Sequence, residues 1–215
     1  MWCSFAAPEV NYLDYIHTLA RSKAVSAEIR MKYEKLVAAH TVTSQPKSKR
    51  EHLYDNPEHG YWEPWLCLSS REQESAEVFG LGRALWCIFE GVSAPEMSVW
   101  ASYINESLLV FPEFSRTPRE LRELVEKCTA MDKGLVDWGS GGIVRRGNQI
   151  VLRDGNGTAG PDVIQKEASE WWRTVLRDAE RFLQVRLQNR QMGKDTLFGR
   201  PTLREVLKIL EDLQK

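Results

Sequence analysis

Residues 77–91 read Glu-Val-Phe-Gly-Leu-Gly-Arg-Ala-Leu-Trp-Cys-Ile-Phe-Glu-Gly, and how they pack decides the fold. Wound at 3.6 residues per turn, they put apolar groups on nearly every side, which suits a helix in the middle of a core rather than one on its surface. Gly80 and Gly82 each cost about 1 kcal/mol of helix propensity relative to alanine. Close approach of a neighbouring backbone would explain their presence. Upstream, Ser69 and Ser70 offer N-caps, with Glu72 and Gln73 three residues on as capping-box partners. Gly91 suits the C-terminal stop.

The same reasoning, worked outward, predicts helices on both sides. Residues 10–40 read as two helical pieces broken near residues 22–25. Ser26 could cap the second, which carries Ile29, Tyr33, Leu36 and Val37 at spacings of three and four. Residues 41–59 are polar, hold two prolines and have no period, so they read as a loop. A short aromatic segment, residues 61–66, follows. Thr117-Pro118-Arg119-Glu120 opens another helix, with Thr as cap, Pro at the first helical position and Glu reaching back. Its apolar face is Leu121, Leu124, Val125 and Cys128. Residues 143–146 and 149–153 flank Gly147-Asn148 as a small hairpin. A long helix is expected at about 162–191, with Ile164, Ala168, Trp171, Val175, Ala179, Phe182 and Leu183 inward. Thr202-Leu203-Arg204-Glu205 is a last capping box, and Leu203, Val206, Leu207, Leu210 and Leu213 form one face. The chain is expected to be mainly α with one minor β-hairpin.

The 215 residues suffice for one medium domain, and 42% hydrophobic composition with 8 Trp allows a sizeable core. The 29 Lys and Arg balance 30 Asp and Glu, which argues against nucleic acid or an anionic membrane surface as partner. No apolar run approaches the roughly 20 residues that span a bilayer. The first residues resemble no signal peptide. Cys3, Cys67, Cys87 and Cys128 are far apart, so reduced thiols in an intracellular protein, cytoplasmic or nuclear, are the simplest reading. No histidine joins them at zinc-ligand spacing.

Three segments together resemble the C-terminal lobe of eukaryotic protein kinases. Ala7-Pro8-Glu9 is similar to the triplet that closes the activation segment. Residues 77–91 resemble the family's central buried helix, with Glu77 in the place of its Asp and Gly80 in that of its Ser. Gly199-Arg200-Pro201-Thr202-Leu203-Arg204-Glu205-Val206-Leu207 resembles the opening of its final helix. The resemblance implies a single partial kinase-like lobe over residues 1–215, with two large inserts, 10–73 and 133–198, packed on it as decorations. It also implies a buried ion pair between Glu9 and Arg200.

In that family the groups that bind ATP and Mg²⁺ and perform phosphoryl transfer precede the Ala-Pro-Glu triplet. Here only six residues precede it, and no H-R-D or D-F-G string occurs. No catalytic, cofactor-binding or metal residue can be assigned, and the chain alone is expected to transfer no phosphate. ATP, Mg²⁺ and Ser/Thr-type phosphotransfer are implied only if upstream sequence completes the domain. The alternatives are a non-catalytic pseudokinase-type interaction module and an unrelated helical binding protein. Apolar groups such as Phe79, Trp86 or Phe89, left without their usual cover, are expected to be exposed, to promote self-association or to meet a protein partner; the inserts are a second candidate surface.

Other motifs read more plainly. Residues 155–160 satisfy G-x-G-x-x-G but read as consecutive turns, and the EF-hand likeness beginning at Asp154 fails at its sixth and twelfth positions. Arg173, Arg177 and Arg181 read as a solvated, ion-paired face. Trp62, Trp65, Trp171 and Trp172 read as core. Asn105 and Asn156 begin glycosylation sequons in form only.

Overall fold

The computed structural model describes residues 7–40, 62–92, 111, 113–131, 142–146, 149–152, 159–194 and 198–213. Along them run α1 (Pro8–Arg21), α2 (Ala27–His40), α3 (Trp62–Leu66), α4 (Ser70–Glu90), α5 (Arg119–Cys128), β1 (Ile143–Arg146), β2 (Gln149–Leu152), α6 (Pro161–Gln191) and α7 (Leu203–Asp212). The described chain is mainly helical, and its sheet is one antiparallel hairpin in which Ile143 pairs with Leu152 and Arg146 with Gln149.

Local chemistry explains the boundaries. α1 opens with Pro8 at its first position and Glu9 in its first turn, where a missing N–H and a negative charge both suit the exposed N–H groups. Ser26 caps α2 by accepting the Ile29 N–H at 3.3 Å. α4 begins with a complete capping box: the Ser69 hydroxyl accepts the Glu72 N–H while the Glu72 carboxylate accepts the Ser69 N–H. It ends at Gly91, whose φ of 71° is the left-handed conformation that glycine adopts most readily. Thr202 and Glu205 build the same box at the start of α7.

α4 is the spine of the packing. Its Ala76 and Phe79 join the largest apolar cluster, with α1, Tyr33 of α2, Trp65 of α3 and Val175, Ala179, Phe182 and Leu183 of α6. Val78 joins Leu124 and Cys128 of α5 and Val206 of α7 in a second cluster. Trp86 and Cys87 meet Val125 in a third. Gly82 lies where α5 passes: a Cβ there would stand 2.7 Å from the Cβ of Cys128 and 2.8 Å from Cγ2 of Thr129. This close approach offsets the helix-propensity cost of the glycine.

Several expectations are corrected. α4 is not enclosed all round, because Ile88 is 72% exposed. Phe79 and Trp86 are fully buried instead of exposed, and Phe89 is half-buried. The reason is that the segments on either side of α4 supply cover of their own. Residues 10–73 and 133–198 contribute α1, α2, α3 and α6 to the largest cluster, so they build the main core rather than decorate a lobe. The α2 stripe reaches that core only from Tyr33 onward, leaving Ile29 exposed. The buried residues of α6 begin only at Val175; Ile164, Ala168 and Trp171 are half-buried. On α7 only Val206 is buried, backed by Ile209 and Leu210, while Leu203, Leu207 and Leu213 are exposed.

Trp65 is buried, and Trp171 and Trp172 pack partly buried against the main cluster, Trp172 stacking on Tyr15 at 5.1 Å. Arg173, Arg177 and Arg181 all face solvent. The expected loop 41–59, the glycine turns at 155–158, the Trp62 side chain and both sequon asparagines lie outside the described residues.

Candidate functional site

Arg200 gathers the three segments singled out in the sequence. Its Nη1 donates to Glu9 Oε1 at 2.5 Å and its Nη2 to Glu9 Oε2 at 3.3 Å, a bidentate pair with both side chains buried. Nη1 also donates to the carbonyl of Ser75 on α4 at 3.2 Å, and Nε to the carbonyl of Ala130 just past α5 at 2.9 Å. The guanidinium lies between two aromatic faces, 4.7 Å from the Phe79 centroid and 5.0 Å from that of Phe198. Such cation–π contacts are strongest when the charge is out of water. Phe198 takes φ 69°, which is rare for a bulky side chain; stacking on Phe182 as well as on Arg200 holds it there. Arg71 and Glu74 of α4 anchor the next residues: Arg71 Nη2 donates to the Arg200 carbonyl at 2.9 Å, and Glu74 accepts the Leu203 N–H at 3.0 Å. Glu77 stands half-buried on α4.

Glu90 closes the other end of α4. Its buried carboxylate accepts the N–H groups of Ser115, Arg116 and Thr117 and both hydroxyls of Ser115 and Thr117, at 2.5 to 3.2 Å. This corrects the expected cap of α5. The Thr117 hydroxyl is taken by Glu90, so the helix starts after Pro118 with no side-chain cap. Burial works to raise the Glu90 pKa, but the hydrogen bonds from Thr117 and Ser115 outweigh it and bring the carboxyl from 4.5 down to about 2. Because the folded-state pKa is depressed, its stabilisation is complete above pH 4.5 and is lost as pH falls toward 2. We expect Glu90→Gln to cost about 1–3 kcal/mol at neutral pH, since it leaves buried donors without their acceptor. We also expect it to flatten the decline in stability over that acid window. Urea unfolding at a series of pH values measures both effects.

A second buried arginine was not legible in the sequence. Arg186 of α6 is fully buried and grips Glu72 of α4 with Nε at 2.6 Å and Nη2 at 2.7 Å. It also donates to the carbonyls of Cys67 and His40. Arg190, one turn on, touches the same three acceptors at 3.1 to 3.3 Å. Burial opposes ionisation of Glu72, yet the Arg186 hydrogen bond and charge prevail and hold its pKa below the ordinary value. The His40 ring is buried beside them, with neither nitrogen hydrogen-bonded among the described residues. Burial and then the charges of Arg186 and Arg190 lower its pKa to about 4, so it is neutral near pH 7.

This network fixes the Cys67 carbonyl, and the Cys67 side chain has a different partner. Its Sγ lies 3.4 Å from Nε2 of His17 on α1. Nδ1 of the same ring lies 3.6 Å from Oε2 of Glu63 on α3, and Glu63 is paired with Arg21. These four residues line a cavity of about 430 Å³ bounded by α1, α2 and α3.

Among the described residues no group of three or more His, Cys, Asp or Glu side chains is arranged to hold a metal ion, and no helix is long and apolar enough to cross a membrane. No protein-family model matches the chain, and no characterised protein and no solved structure matches it.

Proposed function

We propose that the opening of α1 together with α4, α5 and α7 forms the C-terminal lobe of a protein-kinase-like domain. On this reading the lobe acts here as a non-catalytic, pseudokinase-type interaction module. The observation that carries it is the set of groups around Arg200. The triplet's Glu9, the carbonyl of Ser75 on the long central helix and the carbonyl of Ala130 after α5 all meet the arginine that precedes the last helix. Those are the segments whose order along the chain resembles the family. Ser/Thr-type phosphotransfer with ATP and Mg²⁺ would belong to the domain only in a protein that also carries a catalytic loop and its metal-binding Asp and Asn.

Two features favour binding over catalysis. The helices α1, α2, α3 and α6 pack into the main core by one side, and their outer sides add surface to the lobe. Leu203 and Leu207 of α7 and Ile88 of α4 are exposed apolar groups at which a protein partner would be sought. Cys67, Cys87 and Cys128 are buried thiols outside any disulfide, which accords with an intracellular location.

The test is titration of residues 1–215 with a fluorescent ATP analogue and Mg²⁺. No saturable binding is expected, and binding in the micromolar range would overturn the non-catalytic reading. Mapping the 5′ end of the transcript decides the remainder. Upstream H-x-D and D-F-x strings in frame would make the lobe part of an enzyme, and their absence would leave the interaction module.

A further inference from the structure

We propose that Cys67 is a nucleophilic thiol with His17 as its base, and that the cavity beside them admits a small α,β-unsaturated carbonyl compound that the thiol captures covalently. The inference stands on geometry independent of the kinase-like reading. The Cys67 Sγ is within hydrogen-bonding reach of His17 Nε2 at 3.4 Å, and the Glu63 carboxylate is 3.6 Å from Nδ1. A carboxylate on that side favours the tautomer with its proton on Nδ1, so the Nε2 lone pair faces the Cys67 S–H as acceptor. Nucleophile, base and orienting carboxylate in that order are the arrangement that activates a weak nucleophile.

The surroundings support the role. Burial and then the Arg21 charge lower the His17 pKa to about 4, so the ring is neutral and a weak base at neutral pH, and it takes the thiol proton only as the carbon–sulfur bond forms. The Cys67 backbone is held on both sides: its N–H donates to the carbonyls of Glu63 and Pro64, and its carbonyl accepts from Arg186 and Arg190. Cys67 is only 2% exposed, so a reagent reaches Sγ through the cavity rather than across open surface. Ala20, Val37, Ala38 and Leu66 give that cavity apolar walls.

The step balances without oxidant or leaving group. His17 Nε2 takes the thiol proton as Sγ forms a bond to the β-carbon. The C=C electron pair moves toward the carbonyl to give an enolate. The proton on Nε2 then returns to the α-carbon, leaving a thioether and a neutral imidazole.

The experiment is brief labelling of the folded chain with N-ethylmaleimide, with each cysteine quantified by peptide mass spectrometry. Cys67 is expected to react at least about tenfold faster than the fully buried Cys128 in the same molecules. His17→Gln is expected to slow Cys67 at least about tenfold, the low end of what a positioned base contributes or below it. Ala38→Trp, at an exposed position on the cavity wall, should slow Cys67 while leaving Cys87 and Cys128 unchanged. If His17→Gln unfolds the chain, Cys128 labelling rises with it, and the Ala38→Trp result then decides. Labelling of Cys67 no faster than Cys128 in the wild type overturns the proposal. So does an unchanged Cys67 rate in a folded His17→Gln or in Ala38→Trp.

Discussion

Arg186→Leu is expected to destabilise the fold by about 3–5 kcal/mol, because it strands a buried carboxylate rather than merely deleting a contact. Glu72 is 4% exposed and takes two short hydrogen bonds from Arg186. Without them its remaining cation is Arg190, at 3.3 Å and partly in solvent. The carbonyls of Cys67 and His40 also lose a donor. Glu72→Gln should cost about as much. Glutamine keeps an acceptor for the Ser69 N–H, but it leaves the fully buried Arg186 without an anion and beside the like charge of Arg190. The double variant should then be more stable than the sum of the singles, as expected for groups in direct contact. Urea unfolding followed by tryptophan fluorescence gives all three values. An Arg186→Leu variant within about 0.5 kcal/mol of wild type, the range of an ordinary surface change, would show that the pair is not the brace described.

The contrast between Arg200 and Arg186 marks what the sequence could reveal. Helix boundaries were written locally: Pro8, Ser26, the Ser69 and Thr202 capping boxes and Gly91 each lie beside the end they make. Periodicity likewise announced the long helix now seen as α6 and the hairpin before it. Arg200 and Glu9, 191 residues apart, were paired only because flanking residues resembled a family. Arg186 and Glu72 had no such flag. The capping box already gave Glu72 a complete reason to be there, and Arg186 looked like one more cation on a helix rich in Arg. The His17 and Cys67 pair, 50 residues apart, fits no ligand or nucleophile motif either. Thr117 misled for a related reason: Thr-Pro-x-Glu is a sound local cap, but Glu90 comes from 27 residues earlier to take the hydroxyl. Local signals are therefore trustworthy where no distant charge competes, and a buried charge is what overrides them.

Removing either member of the Glu9 and Arg200 pair should have an effect as large, and it probes a different part of the molecule. Glu9→Ala leaves a guanidinium with no exposed side-chain surface between Phe79 and Phe198, with two carbonyls but no anion to balance it. The expected cost is about 3–5 kcal/mol. Arg200→Met should lie at the upper end of the same range, since it also frees the Ser75 and Ala130 carbonyls and the aromatic faces. Combining Glu9→Leu with Arg200→Met removes both charges and should recover part of the loss, because well-packed apolar groups can replace a buried ion pair at little cost. Arg200→Lys discriminates further. A lysine keeps the charge, but its compact head cannot hold Glu9 with two parallel bonds while also reaching Ala130, so most of the cost should remain. Thermal and urea unfolding of the four variants makes the comparison. Glu9→Ala as stable as the wild type would mean that Arg200 is balanced by its carbonyls and rings alone. The pair would then not tie the start of α1 to the segment before α7, and the kinase-like reading would lose the observation that carries it.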